Sequence, residues 1–278
     1  MAATVHRGKE AVKHVLIWMV LFFSFVPFAL MLVISLKTNA QFSRNPFLPD
    51  APRDWHWENW TTGWRTISTY VANTIVTSGA AVLLCVVIAI LASYVFARYR
   101  FPGREILYYG LIVTMFLPST VATLVTTFTL VVRLHLYNTL LALIILGAVG
   151  GQVVCVFILR QFIEEIPKEL FESAEIDGAG HLRQIVSIVL PMSGPVLSTL
   201  AIMQFISNWN NLLGPLVFLR DDYKLTIPVG LMRLEGEYVK EWGQLMAGYA
   251  LSSIPLVILF LFTMRLFIRG LSAGAVKG

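Results

Sequence analysis

Two groups of residues in this chain have the types and spacing to do chemistry. The first is an acidic segment, Glu164, Glu165, Glu169, Glu172, Glu175 and Asp177, stopped by Gly178 and set among the apolar Ile176, Leu182, Ile185 and Ile188. Carboxylates and apolar knobs at helical spacing suit a short helix seated in a cleft of a partner, and they equally suit a solvated surface helix. The second is a cluster of uncharged amides, Gln204, Asn208, Asn210 and Asn211, around Trp209. Amides beside a ring suit a polyol, whose hydroxyls hydrogen-bond while its C–H face stacks on the aromatic. Amides also act as glue between membrane helices, so this cluster has a packing reading beside its substrate-pathway one.

The elements that must position these groups are membrane helices. Hydrophobic residues make up 57% of the 278 and charged residues 13%, where a soluble chain carries about a quarter charged residues. Residues 15–36, 70–97, 106–132, 138–159, 195–219 and 245–264 contain no Asp, Glu, Lys or Arg. Each is near or above the roughly 20 residues a helix needs to cross about 30 Å of hydrocarbon. We therefore expect an all-α integral membrane protein of six transmembrane helices, one transmembrane domain over 1–278, with the acidic segment in a loop, 160–194, between the fourth and fifth. His6, Arg7, Lys9 and Lys13 ahead of an apolar run have the charge order of a signal peptide. The run 15–36 exceeds the 7 to 15 residues of a signal core, so we expect a retained first helix.

What the spans lack narrows the chemistry. Proton-driven carriers commonly keep a titrating side chain within the bilayer, and intramembrane enzymes need positioned acids, bases or metal ligands. Asp, Glu and His are confined here to loops and ends. Catalysis and a resident metal are therefore not expected, and the energy source should lie on another chain. Sodium coupling stays open, because carbonyls and hydroxyls hold sodium without a carboxylate. No Gly-x-x-x-x-Gly-Lys-Ser/Thr loop occurs, so no nucleotide or other cofactor is expected on this chain. Cys85 and Cys155 lie within apolar spans and read as small hydrophobes. The net charge of +5 comes from basic clusters at the ends of apolar blocks rather than along one face, which argues for membrane topology and lipid, not nucleic acid.

Six crossings put both termini on one side. Twelve Lys and Arg fall on that side against nine on the other, with Arg98, Arg100 and Arg104 crowding one short loop, so both termini are expected to be cytoplasmic. Residues 37–69, with Trp55, Trp57, Trp60 and Trp64 and three prolines, read as an irregular outer segment with an interfacial aromatic belt, or a partner-docking surface. Pro27, Pro118, Gly147–Gly151, Gly214-Pro215 and Pro255 are breakers within spans, tolerated where neighbours satisfy the freed carbonyls. The loop itself reads as a short helix, a glycine stop, and a second helix ending at Pro191.

The acidic loop also carries a resemblance. Glu172, Ala174 and Gly178, then nine residues, then Ile188, Leu190 and Pro191 fall on the positions of the EAA loop of ABC importer permeases, with Ser173 where that family usually has a second Ala. Phe96-Ala97-Arg98-Tyr99-Arg100-Phe101-Pro102-Gly103 and the tail Gly270–Gly278 are similar to segments of the maltose-type (MalG-like) sugar permeases. The resemblance implies a MetI-like permease fold in the cytoplasmic (inner) membrane of a prokaryote. It also implies a second, different permease subunit, an ATPase dimer that binds ATP and magnesium, and an extracytoplasmic solute-binding protein. Glu172, Ser173, Ala174, Asp177, Gly178, Ile188, Leu190 and Pro191 would form the ATPase-coupling element. Apart from the resemblance, the residue types alone make Gln204, Asn208, Trp209, Asn210 and Asn211 candidates for the substrate pathway, beside their packing reading. The cargo implied by the resemblance is a sugar or oligosaccharide, with a polyol, glycerol phosphate or, in a different class, sodium-coupled carriage as the alternatives.

Overall fold

The computed structural model describes residues 2–117, 121–236 and 241–275, with side chains over 13–117, 122–235 and 241–264. Pro118 and the tail residues Val276–Gly278, singled out above, lie outside the described residues. Regular structure among the described residues is helical throughout: α1 Ala2–Ser35, α2 Asn39–Arg44, α3 Glu58–Arg98, α4 Arg104–Val113, α5 Val121–Arg133, α6 Leu140–Gly150, α7 Gln152–Glu165, α8 Lys168–Ile176, α9 His181–Gln184, α10 Leu190–Trp209, α11 Leu213–Phe218, α12 Ile227–Gly236 and α13 Trp242–Ala275.

Four described helical runs are long and apolar enough to cross a membrane: Lys13–Ser35, Glu58–Arg98, His181–Trp209 and Trp242–Met264. The pair α6 and α7 makes a fifth if it counts as one span, bent by 43° at Gly150-Gly151. The remaining apolar stretch, 106–132, is divided into α4, a tight turn Thr114–Phe116, and α5, whose apolar part Ala122–Arg133 is short. The apolar side chains of 15–25 are largely exposed, as lipid-facing surface must be.

Two boundaries differ from the sequence expectation, each for a local reason. α3 starts at Glu58, so Trp60 and Trp64 belong to a helix rather than to an irregular segment. Glu58 complements the positive end of the helix, and the next proline after Pro52 is Pro102, beyond the end of α3. Pro27 and Pro255 sit inside continuous helices. The second limb of the acidic hairpin does not end at Pro191. Residues Ile185–Val189 form one wide turn, in which Leu190 N–H reaches back to Ile185 O, and the helix continues through Pro191 into α10. The proline lacks the N–H for an ordinary bond and its ring crowds the carbonyl four residues back. The wider turn just before it accommodates both.

The chain forms two compact units. In the first, 1–68 with 231–254, Thr38 and Gln41 close a reciprocal cap on α2, and buried Lys37 pairs with Asp50. Asn59 donates to Ser35 O and Lys37 O at 3.0 and 2.9 Å, and the rings of Phe42 and Trp242 stack 5.0 Å apart. The second unit, 69–230 with 255–278, has two apolar cores. One joins Cys85, Ala89, Ile90 and Tyr94 of α3 to Cys155, Val156, Leu159 and Ile163 of α7, and to Phe171, Ile185 and Val189 of the hairpin. The thiols of Cys85 and Cys155 are free, buried and 3.9 Å apart in it. The other joins Val131, Ala142, Leu143, Phe218, Leu225 and Val229.

Candidate functional site

The acidic hairpin is built by a helix stop that only glycine makes without strain. α8 ends with Gly178 N–H bonded to Glu175 O at 3.0 Å and Ala179 N–H to Ala174 O at 2.8 Å, the two-bond αL termination of a helix. That geometry puts Gly178 at φ +76°, where a Cβ costs about 1–2 kcal/mol. The chain reverses there and re-enters helix at His181.

One face of the hairpin is fastened inward. Phe171 is fully buried, and the Arg98 guanidinium lies 3.8 Å over its ring. Tyr94 O–H, near the end of α3, donates to Gln184 Oε1 at 2.6 Å and lies 3.2 Å from His181 Nδ1. Gln184 Nε2 in turn donates to Ala179 O at 3.2 Å, so one buried amide joins α3 to the turn. Where the loop begins, buried Arg160 on α7 donates to Glu164 at 2.9 Å and to Glu105 at 3.0 Å, and stacks 3.7 Å over Tyr108. Contact with the Arg104 guanidinium, and then with Arg160, holds the Glu105 carboxyl below the usual carboxylate range.

The other face points outward. Ile176 is 87% exposed and Leu182 72% exposed, with Glu172, Ser173, Asp177, Leu190 and Pro191 exposed around them. Ala174 and Ile188 are half-buried, Ile188 against the first core, and Ile185 is buried there rather than displayed. Tyr94, Phe171 and Gln184, which secure the hairpin, are not singled out by sequence reasoning, and Arg98 enters it only as a topology signal and within the Phe96–Gly103 match. The available signal is a tyrosine inside an apolar run, whose hydroxyl needs a partner when buried.

The amide cluster lies at the far end of the same rod, because His181–Trp209 is one unbroken helical run of 29 residues, on the order of 40 Å at about 1.5 Å per residue. Most of the cluster is used in packing. Gln204 Nε2 donates to Gly147 O at 2.6 Å, and a Cβ on Gly151 would fall 1.8 Å from Gln204 Oε1. A Cβ on Gly147 would fall 2.6 Å from Asn208 Oδ1. Thus glycines four apart on α6 and its break receive amides four apart on α10, a small-residue seam between helices. Trp209 is buried, its ring stacked 5.5 Å from Phe205. Asn210 bonds its own helix at Ile206 O, and Asn211 Oδ1 accepts from Gly214 N–H at the start of α11. Asn208 is the exception, since its side-chain N–H group is buried without a partner.

Beyond α11 a polar clasp joins two loops. Asn138, at φ +60°, donates to Asp221 at 2.7 Å and accepts from the backbone N–H of Arg220 and Asp221. The Asn138 amide and the Lys224 ammonium together hold the Asp221 carboxyl down at about 2.

Comparison with known proteins fits this architecture. The arabinooligosaccharides transport system permease protein AraQ of Halalkalibacterium halodurans is 36% identical over 210 residues, covering 76% of this chain and 74% of that one. The melibiose/raffinose/stachyose import permease protein MelC of Bacillus subtilis is 31% identical over 257 residues, covering 91% and 92%. The crystal structure of a bacterial ABC transporter involved in the import of the acidic polysaccharide alginate shares the fold at TM-score 0.81 and 20% identity, over 93% of this chain and 96% of that one. Residues 85–273, which contain both the hairpin and the amide cluster, match the family described as binding-protein-dependent transport system inner membrane component, and the chain belongs to that family.

Proposed function

We propose that the chain is one of two permease subunits of an ATP-driven ABC importer that carries a sugar or oligosaccharide across the cytoplasmic membrane of a prokaryote. The hairpin within 160–194 is its docking element for an ATPase dimer, which holds the ATP and magnesium. Support for the cargo comes from relatives named for arabinooligosaccharides and for melibiose, raffinose and stachyose. A structure of an alginate transporter complexed with an alginate pentasaccharide-bound periplasmic protein, at TM-score 0.58 and 16% identity, supports an extracytoplasmic solute-binding partner. The chain crosses the membrane six times as a single domain, counting the α4–α5 stretch and the bent α6–α7 pair as one crossing each. Its termini and hairpin face the cytoplasm.

The observation that carries this reading is the two-sidedness of the hairpin. Exposed Ile176 and Leu182 are apolar side chains that the chain itself does not bury, and a partner groove would remove them from water. Behind them Phe171, Tyr94 and Gln184 tie the hairpin to α3, and the second limb continues without interruption to Trp209. A force applied at Ile176 and Leu182 by closing ATPases would therefore move α3 and α10 as rods. Alternating access then needs no ionisable group in the spans.

Gly178 gives the test. Gly178→Val is expected to leave the subunit in the membrane and to uncouple hydrolysis from uptake, because the reversal that presents Ile176 no longer forms without strain. Normal ATP-dependent uptake by that variant in reconstituted vesicles would refute the proposal.

A further inference from the structure

A small cleft in the second unit is lined by Thr77 and Ser78 of α3, Leu143 of α6, Asn208, Asn211, Pro215 of α11, and Thr226 just before α12. Three of its polar atoms are buried and have no partner: Ser78 Oγ, Asn208 Nδ2 and Thr226 Oγ1. Ser78 and Thr226 are almost wholly buried as residues. An unmatched polar group in such a place costs on the order of 1–3 kcal/mol, and three converging on one cleft is not what packing alone would leave. The other polar residues there are already committed. Thr77 Oγ1 donates to Asn73 O at 2.8 Å, and Asn211 Oδ1 accepts from Gly214 N–H at 3.0 Å. The cleft offers about 20 Å³, above the roughly 10–15 Å³ that one water-sized oxygen occupies, and such an oxygen needs two to four partners.

We infer that this cleft is a binding site for a single neutral hydroxyl oxygen, supplied by water when no solute is bound and by a hydroxyl of the solute during transport. The chemistry selects that ligand. Asn208 turns its Oδ1 toward Gly147 and so presents N–H to the cleft, a donor that a metal cation would meet unfavourably. No carboxylate and no basic side chain lines the cleft, so neither a cation nor an anion has a counter-charge in it. Two hydroxyls that donate or accept beside one fixed donor match an oxygen that does both. Asn208 stands just before α10 ends at Trp209, so the bound oxygen joins α3, the end of α10 and the entry to α12 at the place where the rod from the hairpin terminates.

The experiment is a density map of the assembled importer at a resolution that shows ordered water, recorded with and without sugar, together with Ser78→Ala and Thr226→Val. Without sugar, one peak is expected within hydrogen-bond distance of Ser78 Oγ, the Asn208 amide and Thr226 Oγ1. If a sugar oxygen replaces that peak and each variant raises the uptake KM about fivefold, the solute is the source. If the peak persists with sugar and the variants lower the thermal midpoint while KM holds, water is the source. An empty cleft, these three groups bonded elsewhere in the protein, or a peak that takes up bromide would overturn the inference. The solute arm rests on the import reading and the sugar-free map does not, so failure of one is told apart from failure of the other.

Discussion

The hairpin and the amide cluster are two polar interruptions of an apolar chain, and they dispose of their polar and apolar groups in opposite ways. The hairpin buries what holds it, Phe171 and Gln184, and leaves Ile176 and Leu182 in the open. The amide cluster turns inward: Gln204 bonds Gly147, Asn210 and Asn211 bond nearby backbone, and Trp209 is buried against Phe205. A docking element displays groups that its own fold does not need, whereas a helix seam uses up nearly all of its hydrogen-bonding capacity. By that measure the hairpin is unfinished without a partner, and the amide cluster is finished except at Asn208.

The comparison breaks most severely at the seam. Gly151→Leu should cost on the order of 3 kcal/mol or more, because the first added carbon already overlaps Gln204 Oε1. A large fall in the thermal midpoint of the detergent-purified complex would show it. Adding Gln204→Ala should recover part of that loss, and two independent losses that merely add would mean the glycine and the amide are not packed together.

At the hairpin the effects should divide by face. Tyr94→Phe removes a hydroxyl that serves Gln184 and His181 and should cost about 1 kcal/mol of stability. It should also lower the ratio of solute imported to ATP hydrolysed. A normal ratio with lowered stability would make Tyr94 a packing residue only. Ile176→Ser should leave the thermal midpoint of the isolated subunit within about 0.5 kcal/mol equivalent, since the side chain touches little, and should weaken ATPase retention on a column.

The smallest effect is expected at the Asn138–Asp221 clasp. The folded carboxyl titrates at about 2, below its ordinary 3.8, so whatever stability it contributes is in place above pH 4 and is lost as pH falls through about 2. Asp221→Asn should leave the pH dependence of stability unchanged between pH 5 and 8. Equal losses of stability in parent and variant as pH falls from 4 to 2 would mean that the clasp opens in solution.

Much of this architecture is legible in the order of the residues. The uncharged runs mark membrane helices because a charge in hydrocarbon is costly, and the spacing of Glu172, Ala174 and Gly178 locates a helix stop because few residues besides glycine adopt the left-handed turn. Legibility fails where meaning lies in partners distant along the chain. Gln204 and Asn208 read equally as pathway groups or as glue between helices until Gly147 and Gly151 are seen opposite them. Tyr94 reads as one more aromatic until Gln184, ninety residues on, accepts its hydrogen bond. Ile185 reads as a displayed knob because one segment cannot say which of its faces finds a core. Pro191 reads as an end because nothing local announces that a wide turn will carry the helix past it.

If the energy-supplying subunit grips the outward face of the hairpin, a cross-linker placed on that face will capture the two together. With Cys85 and Cys155 buried, I176C and L182C introduce accessible thiols for a short bifunctional reagent in membranes containing the full importer. Cross-links to the ATPase that change in yield with nucleotide are expected. Cross-links to the solute-binding protein, or labelling of I176C by an impermeant reagent from the outer side, would contradict such a grip.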